Sequence, residues 1–187
     1  MNLKTDPNFS KLKKMLALYN MIPNLLWSVI NLVPISVFCY SFVDRKSLYI
    51  FIAVSVLPMF FSNSFFDKIQ IAKTTKTYRK LGINIINRVA QNGVIINSLM
   101  RKKFPEYKAV TYKRSSVNQI IQQTYVFEKF HFAMFVVFSL ITIYALSKNY
   151  FLWAIIISIS NLLYNIYPNL LQQYIRLKLL LYNRKLK

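Results

Sequence analysis

The placement of charge against apolar runs constrains this chain more than any other feature. Four stretches, residues 21–43, 47–66, 131–146 and 150–167, contain no Asp, Glu, Lys or Arg. They are roughly 16 to 23 residues long, against the about 20 apolar residues that carry an α-helix across a bilayer. Of the 25 Lys and Arg, only Arg45, Lys46 and Lys148 fall in the short connections within each pair of stretches. All the others lie in the N-terminal arm, the long middle segment and the C-terminal tail. Those three regions share one side of a membrane if the stretches form two hairpins, and cytoplasmic segments collect Lys and Arg. The pattern predicts an all-α membrane protein with four transmembrane helices as two hairpins and both termini cytoplasmic. A basic cytoplasmic interfacial helical layer over residues 67–130 completes a single integral membrane domain, 1–187.

The length of the apolar runs argues against a soluble helical bundle. Lys148 and Asn149 divide the last apolar stretch into a hinged pair rather than one overlong helix. The formal net charge of +20 invites a nucleic-acid reading, but no recognised binding motif is present and the cytoplasmic bias explains much of the charge. The expected partners are therefore anionic lipid headgroups and anionic donors, such as a coenzyme A phosphate or an acidic carrier protein, and not nucleic acid. The five acids, Asp6, Asp44, Asp67, Glu106 and Glu128, neutralise little of the basic face. Cys39 is the sole cysteine, so neither an intrachain disulfide nor a cysteine metal cluster is expected, and it reads as a small buried apolar residue. With one histidine, a typical zinc site is not expected either. Neither a metal nor a bound cofactor is predicted. The first apolar run is too long for the core of a cleavable signal and reads as an anchor.

Residues 1–20 read as an amphipathic or extended arm. Pro23 and Pro34 allow a kink in the first span, and Pro58 in the second. Asn24, Asn31 and Asn63 read as helix-bridging polar residues. In the middle segment, Leu81, Ile85, Ile86, Val89, Ile96, Leu99 and Met100 recur near helical spacing, which predicts a surface helix with its apolar side down, broken at Asn92-Gly93. Phe104-Pro105-Glu106-Tyr107 marks a turn, and residues 115–130 read as a helix leading into the third span.

Two constellations can carry chemistry. His131, the only histidine, sits at the mouth of the third span, three residues after Glu128. Residues at i and i+3 share a helix face, and a carboxylate beside an imidazole fixes its tautomer and raises its basicity. The plain alternative is an interfacial histidine with Glu128 solvated. On the last helix, Asn161, Asn165, Asn169, Gln172 and Arg176 fall within a stripe of about 80°. Tyr164, Gln173, Tyr174 and Lys178 flank it. A hydrogen-bonding stripe running from mid-bilayer to the interface faces protein or a wet cavity rather than lipid. Helix–helix adhesion is the alternative reading of the same stripe.

The segment NLLYNIYPNLLQQYIRLKL, residues 161–179, resembles the C-terminal signature of bacterial carotenoid-glucoside acyltransferases of the staphyloxanthin type. That signature is an Asn, a Pro two or three residues on, and a Gln-Arg-Tyr-Asn-Arg-x-Arg run. Asn165, Pro168, Gln172, Tyr174, Arg176 and Lys178 occupy the matching places. Glu128 and His131 match the family's Glu-x-x-His ahead of an apolar run. Gln173 and Ile175 depart from the pattern, as does Lys178 in the place of the last arginine, and lost arginines weaken planar recognition of phosphate or carboxylate.

The resemblance implies acyl transfer to a hydroxyl of a glycosylated isoprenoid, carotenoid or other membrane lipid in the bacterial inner membrane. On that reading His131 is the general base and Glu128 orients it. Asn161, Asn165, Gln172, Tyr174 and Arg176 bind the sugar or headgroup, and acyl-CoA or acyl carrier protein supplies the acyl group. A non-enzymatic accessory subunit, an immunity factor or a lipid-binding scaffold fits the size and charge as well. Convergence of Glu128, His131 and the stripe on one site discriminates between them.

Overall fold

The computed structural model of the chain describes residues 7–90, 92–107 and 114–185. Every regular element among the described residues is a helix, and there is no strand among them. The first helix, α1 (Pro7–Phe42), merges the described part of the expected arm with the first span, and Pro23 and Pro34 lie inside it without ending it. Proline survives in an apolar helix where neighbouring groups satisfy the freed carbonyl.

The second apolar stretch behaves differently. Helix α2 (Arg45–Val56) starts on an Asp44 cap whose carboxylate accepts from Ser47 N at 2.9 Å. It then tightens into a 3₁₀ turn (Leu57–Phe60) with Pro58 in its first residues. The chain extends at Phe61, and Ser62 caps a new helix, α3 (Asn63–Lys68). Pro58 brings no donor N–H and crowds the preceding turn, so the α ladder stops there.

The expected unbroken span over 47–66 is therefore replaced by three short elements. Three helices, Ser10–Phe42, Ser116–Ser147 and Phe151–Asn183, are long and apolar enough to cross a membrane. The broken segment still runs antiparallel beside the second long helix, α7 (Arg114–Ser147). Phe51 meets the Tyr144 ring, Asn63 donates to Gln122 Oε1 at 3.2 Å, and Phe66 meets Phe132 edge-on.

The last two stretches reach well beyond their expected bounds of 131–146 and 150–167. Helix α7 continues unbroken from the basic middle segment through the apolar run. It ends where Asn149 turns left-handed at φ 62° and Tyr150 N bonds back to Ala145 O at 2.8 Å, which closes the helix end as a Schellman-type cap. The return strut is α8 (Phe151–Asn161), a π turn (Leu162–Ile166) and α9 (Tyr167–Lys185). The C-terminal ends of α1 and α7 meet where Tyr144 Oη donates to Phe42 O and to Asp44. Below that contact, Ile35, Phe38, Phe138, Ile141, Ala145, Ala154 and Ile157 form the main apolar core.

The opposite end is covered by α4 (Thr75–Lys80), α5 (Ile83–Val89) and α6 (Val94–Lys103). The break between α5 and α6 falls at Asn92-Gly93, as the sequence predicts, with Asn92 left-handed at φ 53°. A Cβ on Gly93 would lie 2.2 Å from Asn87 O, so only glycine fits this close turn. Asn20 of α1 clamps the turn by donating to Asn92 Oδ1 at 2.8 Å and accepting from Asn92 N at 2.7 Å. Helix α5 lies on α9 through Ile83 and Ile86 against Leu170, Leu171 and Tyr174. Helix α6 lies on α1 through Ile96 and Met100 against Leu12, Met15, Leu16 and Tyr19.

Candidate functional site between α7 and α9

Glu128 is 1 % exposed and Arg176 is fully buried. Arg176 Nη1 donates to Glu128 Oε2, making an ion pair inside the α7–α9 seam. Gln173 Nε2 donates to the other carboxylate oxygen at 2.7 Å. Gln173 Oε1 in turn accepts from Tyr78 Oη at 2.9 Å and from Ile71 N at 3.3 Å, which ties the α3–α4 loop and α4 to the seam. Burial pushes the Tyr78 hydroxyl above the usual tyrosine range, so it stays a donor at neutral pH.

On the other flank, Arg176 Nε lies 3.6 Å from Asp67 Oδ1, and Tyr125 Oη donates to the same oxygen at 2.8 Å. The guanidinium stacks 4.2 Å over the Tyr125 ring. A charge pair taken out of water is tolerable only when such bonds compensate its desolvation. Arg176 nonetheless keeps buried N–H groups, at Nε and Nη2, with no hydrogen-bond partner.

One turn deeper on α7, His131 meets Tyr164 edge-on with ring centroids 5.9 Å apart. Asn165 lies against the imidazole. His131 Nδ1 and Asn165 Oδ1 are both buried with no hydrogen-bond partner. Deeper again, Asn165 donates to Asn161 Oδ1 at 2.8 Å, and Asn161 donates to Phe135 O and Ser139 Oγ at 3.2 and 3.1 Å. Ser28 on α1 reaches the same region, with its hydroxyl 3.4 Å from Tyr164 Oη. A polar ladder thus runs down one seam, from the Arg176–Glu128 pair to Ser139. Among the described residues, no three His, Cys, Asp or Glu side chains converge as metal ligands.

The seam brings together Glu128, His131, Asn161, Asn165 and Arg176, but it departs from expectation in three ways. Both Glu128 oxygens are committed to Gln173 and Arg176, so Glu128 does not orient the imidazole. Gln173 occupies the buried place expected of Gln172, which is half-buried and outside the network. The π turn over Leu162–Ile166 is the physical reason. It winds one extra residue into the helix, so the face downstream advances a position relative to strict 3.6-residue periodicity. Tyr174 packs in the apolar cluster with Tyr78, Leu170 and Leu171 rather than in the ladder.

Asp67, Tyr125 and Tyr78 join the site without having been singled out in the sequence. Tyr125 lies three residues before Glu128 on the same helix face, and that spacing is the signal that could have found it.

The comparison with known families bears on this same seam. The glycosyl-4,4'-diaponeurosporenoate acyltransferase family matches residues 62–185, a span that holds every member of the ladder except Ser28. The chain belongs to that family. Membership explains why the likeness lies in both halves of the seam at once, in Glu128 and His131 on α7 and in the run from Asn165 to Arg176 on the return helix. The match begins at Ser62, inside the broken second stretch, so α1 and α2 lie outside it. No curated protein and no solved structure matches the chain.

Proposed function

We propose that the chain is an inner-membrane acyltransferase that moves a fatty acyl group onto a hydroxyl of a glycosylated isoprenoid, carotenoid or related lipid, and that the α7–α9 seam is where it does so. The observation that carries this is the placement, inside the family-matched region, of buried unsatisfied groups beside a buried ion pair: His131 Nδ1, Asn165 Oδ1 and Arg176 Nη2. Buried polar atoms are normally hydrogen-bonded, and atoms left open along one seam support placing a polar substrate group there.

The acyl donor is acyl-CoA or acyl carrier protein, drawn to the basic face on the side of both termini. The acceptor hydroxyl oxygen attacks the thioester carbonyl carbon, and His131 takes the hydroxyl proton. The tetrahedral oxyanion is met by the open N–H groups of Arg176, whose fork is fixed by Glu128 and Tyr125. The intermediate collapses with cleavage of the carbon–sulfur bond, and the thiolate leaves with the proton returned from the imidazolium. Glu128 acts here by holding Arg176 rather than by touching His131. Asn165 and Asn161 position the acceptor headgroup.

The rival readings, an accessory subunit, an immunity factor or a lipid-binding scaffold, need no product. Lipid analysis of membranes from cells with and without the gene separates them. A new acylated glycolipid supports acyl transfer, and an unchanged lipid profile with a well-accumulated protein contradicts it.

A further inference from the structure

Helices α5 and α6 are apolar on two sides. One side is spent on the protein: Ile83 of α5 and Ile96 and Met100 of α6 are buried against α9 and α1. The other is uncovered. Ile85 is 71 % exposed, and Val89, Val94, Ile95 and Leu99 are exposed as well. Ile85 and Val89, and likewise Ile95 and Leu99, are spaced i, i+4, so each pair forms a strip rather than scattered positions. Arg88, Arg101 and Lys102 stand exposed on the same two helices. From residue 68 to residue 105 the sequence contains no Asp or Glu.

A helix with this composition has two stable surroundings: a partner's apolar surface, or the boundary between lipid headgroups and acyl chains, where apolar side chains go down and cations meet phosphate. Three helices are long and apolar enough to cross a bilayer, and an acid-free basic segment complements the negative leaflet surface.

We propose that α5 and α6 insert their outward apolar residues, Ile85, Val89, Val94, Ile95 and Leu99, into the headgroup–acyl boundary of an anionic bilayer, with Arg88, Arg101 and Lys102 on the lipid phosphates. The consequence is positional. Helix α5 packs directly on α9 at Leu170, Leu171 and Tyr174, and Tyr78 of the adjoining α4 bonds Gln173. The insertion thereby fixes the depth of the Glu128–Arg176 pair relative to the headgroups. This does not rest on the acyl-transfer reading, since it concerns where the layer lies whatever the seam does.

The test uses the full chain in a Cys39→Ser background, with an environment-sensitive fluorophore on Ile85→Cys, Leu99→Cys or the exposed position Lys80→Cys. Each is reconstituted into vesicles of phosphatidylcholine with phosphatidylglycerol. Shallow spin-labelled lipid is expected to quench the fluorophore at 85 and at 99 at least about twofold more than at 80, and aqueous iodide is expected to do the reverse. With Arg88, Arg101 and Lys102 changed to Gln, the lipid quenching at 85 and 99 is expected to fall.

Iodide reaching 85 and 99 as freely as 80 would overturn the proposal. Shielding that develops only when an acidic carrier protein is added would assign the face to a protein partner and overturn it too. So would protection from both quenchers that depends on protein density in the vesicle, since that would assign the face to a second copy of the chain.

Discussion

Arg176 is held by three different kinds of contact: an ion pair to Glu128, an aromatic face on Tyr125 and a longer contact to Asp67. Removing one partner of a buried pair leaves the other charge uncompensated, at a cost of about 3–5 kcal/mol. Glu128→Ala is therefore expected to lower membrane accumulation and thermal resistance sharply. The paired change Glu128→Gln with Arg176→Gln should recover much of the loss, because no lone charge remains. Equal accumulation of Glu128→Ala and wild type in detergent extracts would show that the pair is not buried as described.

Arg176→Lys keeps the charge but loses the planar fork. It is expected to accumulate while losing most of its acyl transfer, whereas a residue serving only the cytoplasmic charge bias would tolerate lysine without effect. Glu128, His131 and Arg176 are legible in the sequence by type and spacing. The partnership between Glu128 and Arg176 is not, because it joins residues 48 apart on different helices. The i, i+3 rule pointed to the nearer His131 instead.

At the scale of elements, the decisive features are the places where a helix stops being regular. The π turn at Leu162–Ile166 moves Gln173 into the seam in place of Gln172. Gln173→Leu is thus expected to cut acyl transfer and stability together, since it strands Glu128 Oε1 and takes an acceptor from Tyr78 Oη and Ile71 N at once. Gln172→Leu should be close to neutral in the same assays. A reversed order would mean that the helix keeps 3.6-residue register through the turn. A 100° projection has no means of registering an inserted residue, so this part of the site was out of reach from sequence.

The Asn92-Gly93 break was within reach, because asparagine followed by glycine marks a turn locally. Gly93→Ala has no room against Asn87 O and Ala90 O. It should loosen α5 from α6 and disturb the Asn20 clamp, which faster proteolysis within residues 83–103 would report.

For the molecule as a whole, the helical class and the merging of residues 115–130 into the helix of the third apolar stretch followed from charge and apolar periodicity. The count of uninterrupted spans did not. Composition weighs residues 47–66 as a span, while backbone chemistry at Pro58 and the Ser62 cap divides them. The division does not remove the segment from the bundle, since it still runs beside α7 from Tyr144 to Gln122. Reporter fusions after Asp44 and after Lys148 are expected to lie on the side opposite the termini, because the ends of α1 and α7 meet at Tyr144 and basic residues concentrate at the other end.

Acyl transfer at the α7–α9 seam is best probed through the product of His131→Ala. His131 lies outside the bonds that join Glu128, Gln173 and Arg176, so its removal should leave that network in place. It is also the only histidine, so no other imidazole can take its place. The measurement is the acylated lipid formed by purified wild type and His131→Ala at equal abundance. A fall of about 10²–10⁴-fold is expected, the range of general-base contributions. Product at near wild-type level from His131→Ala would contradict it.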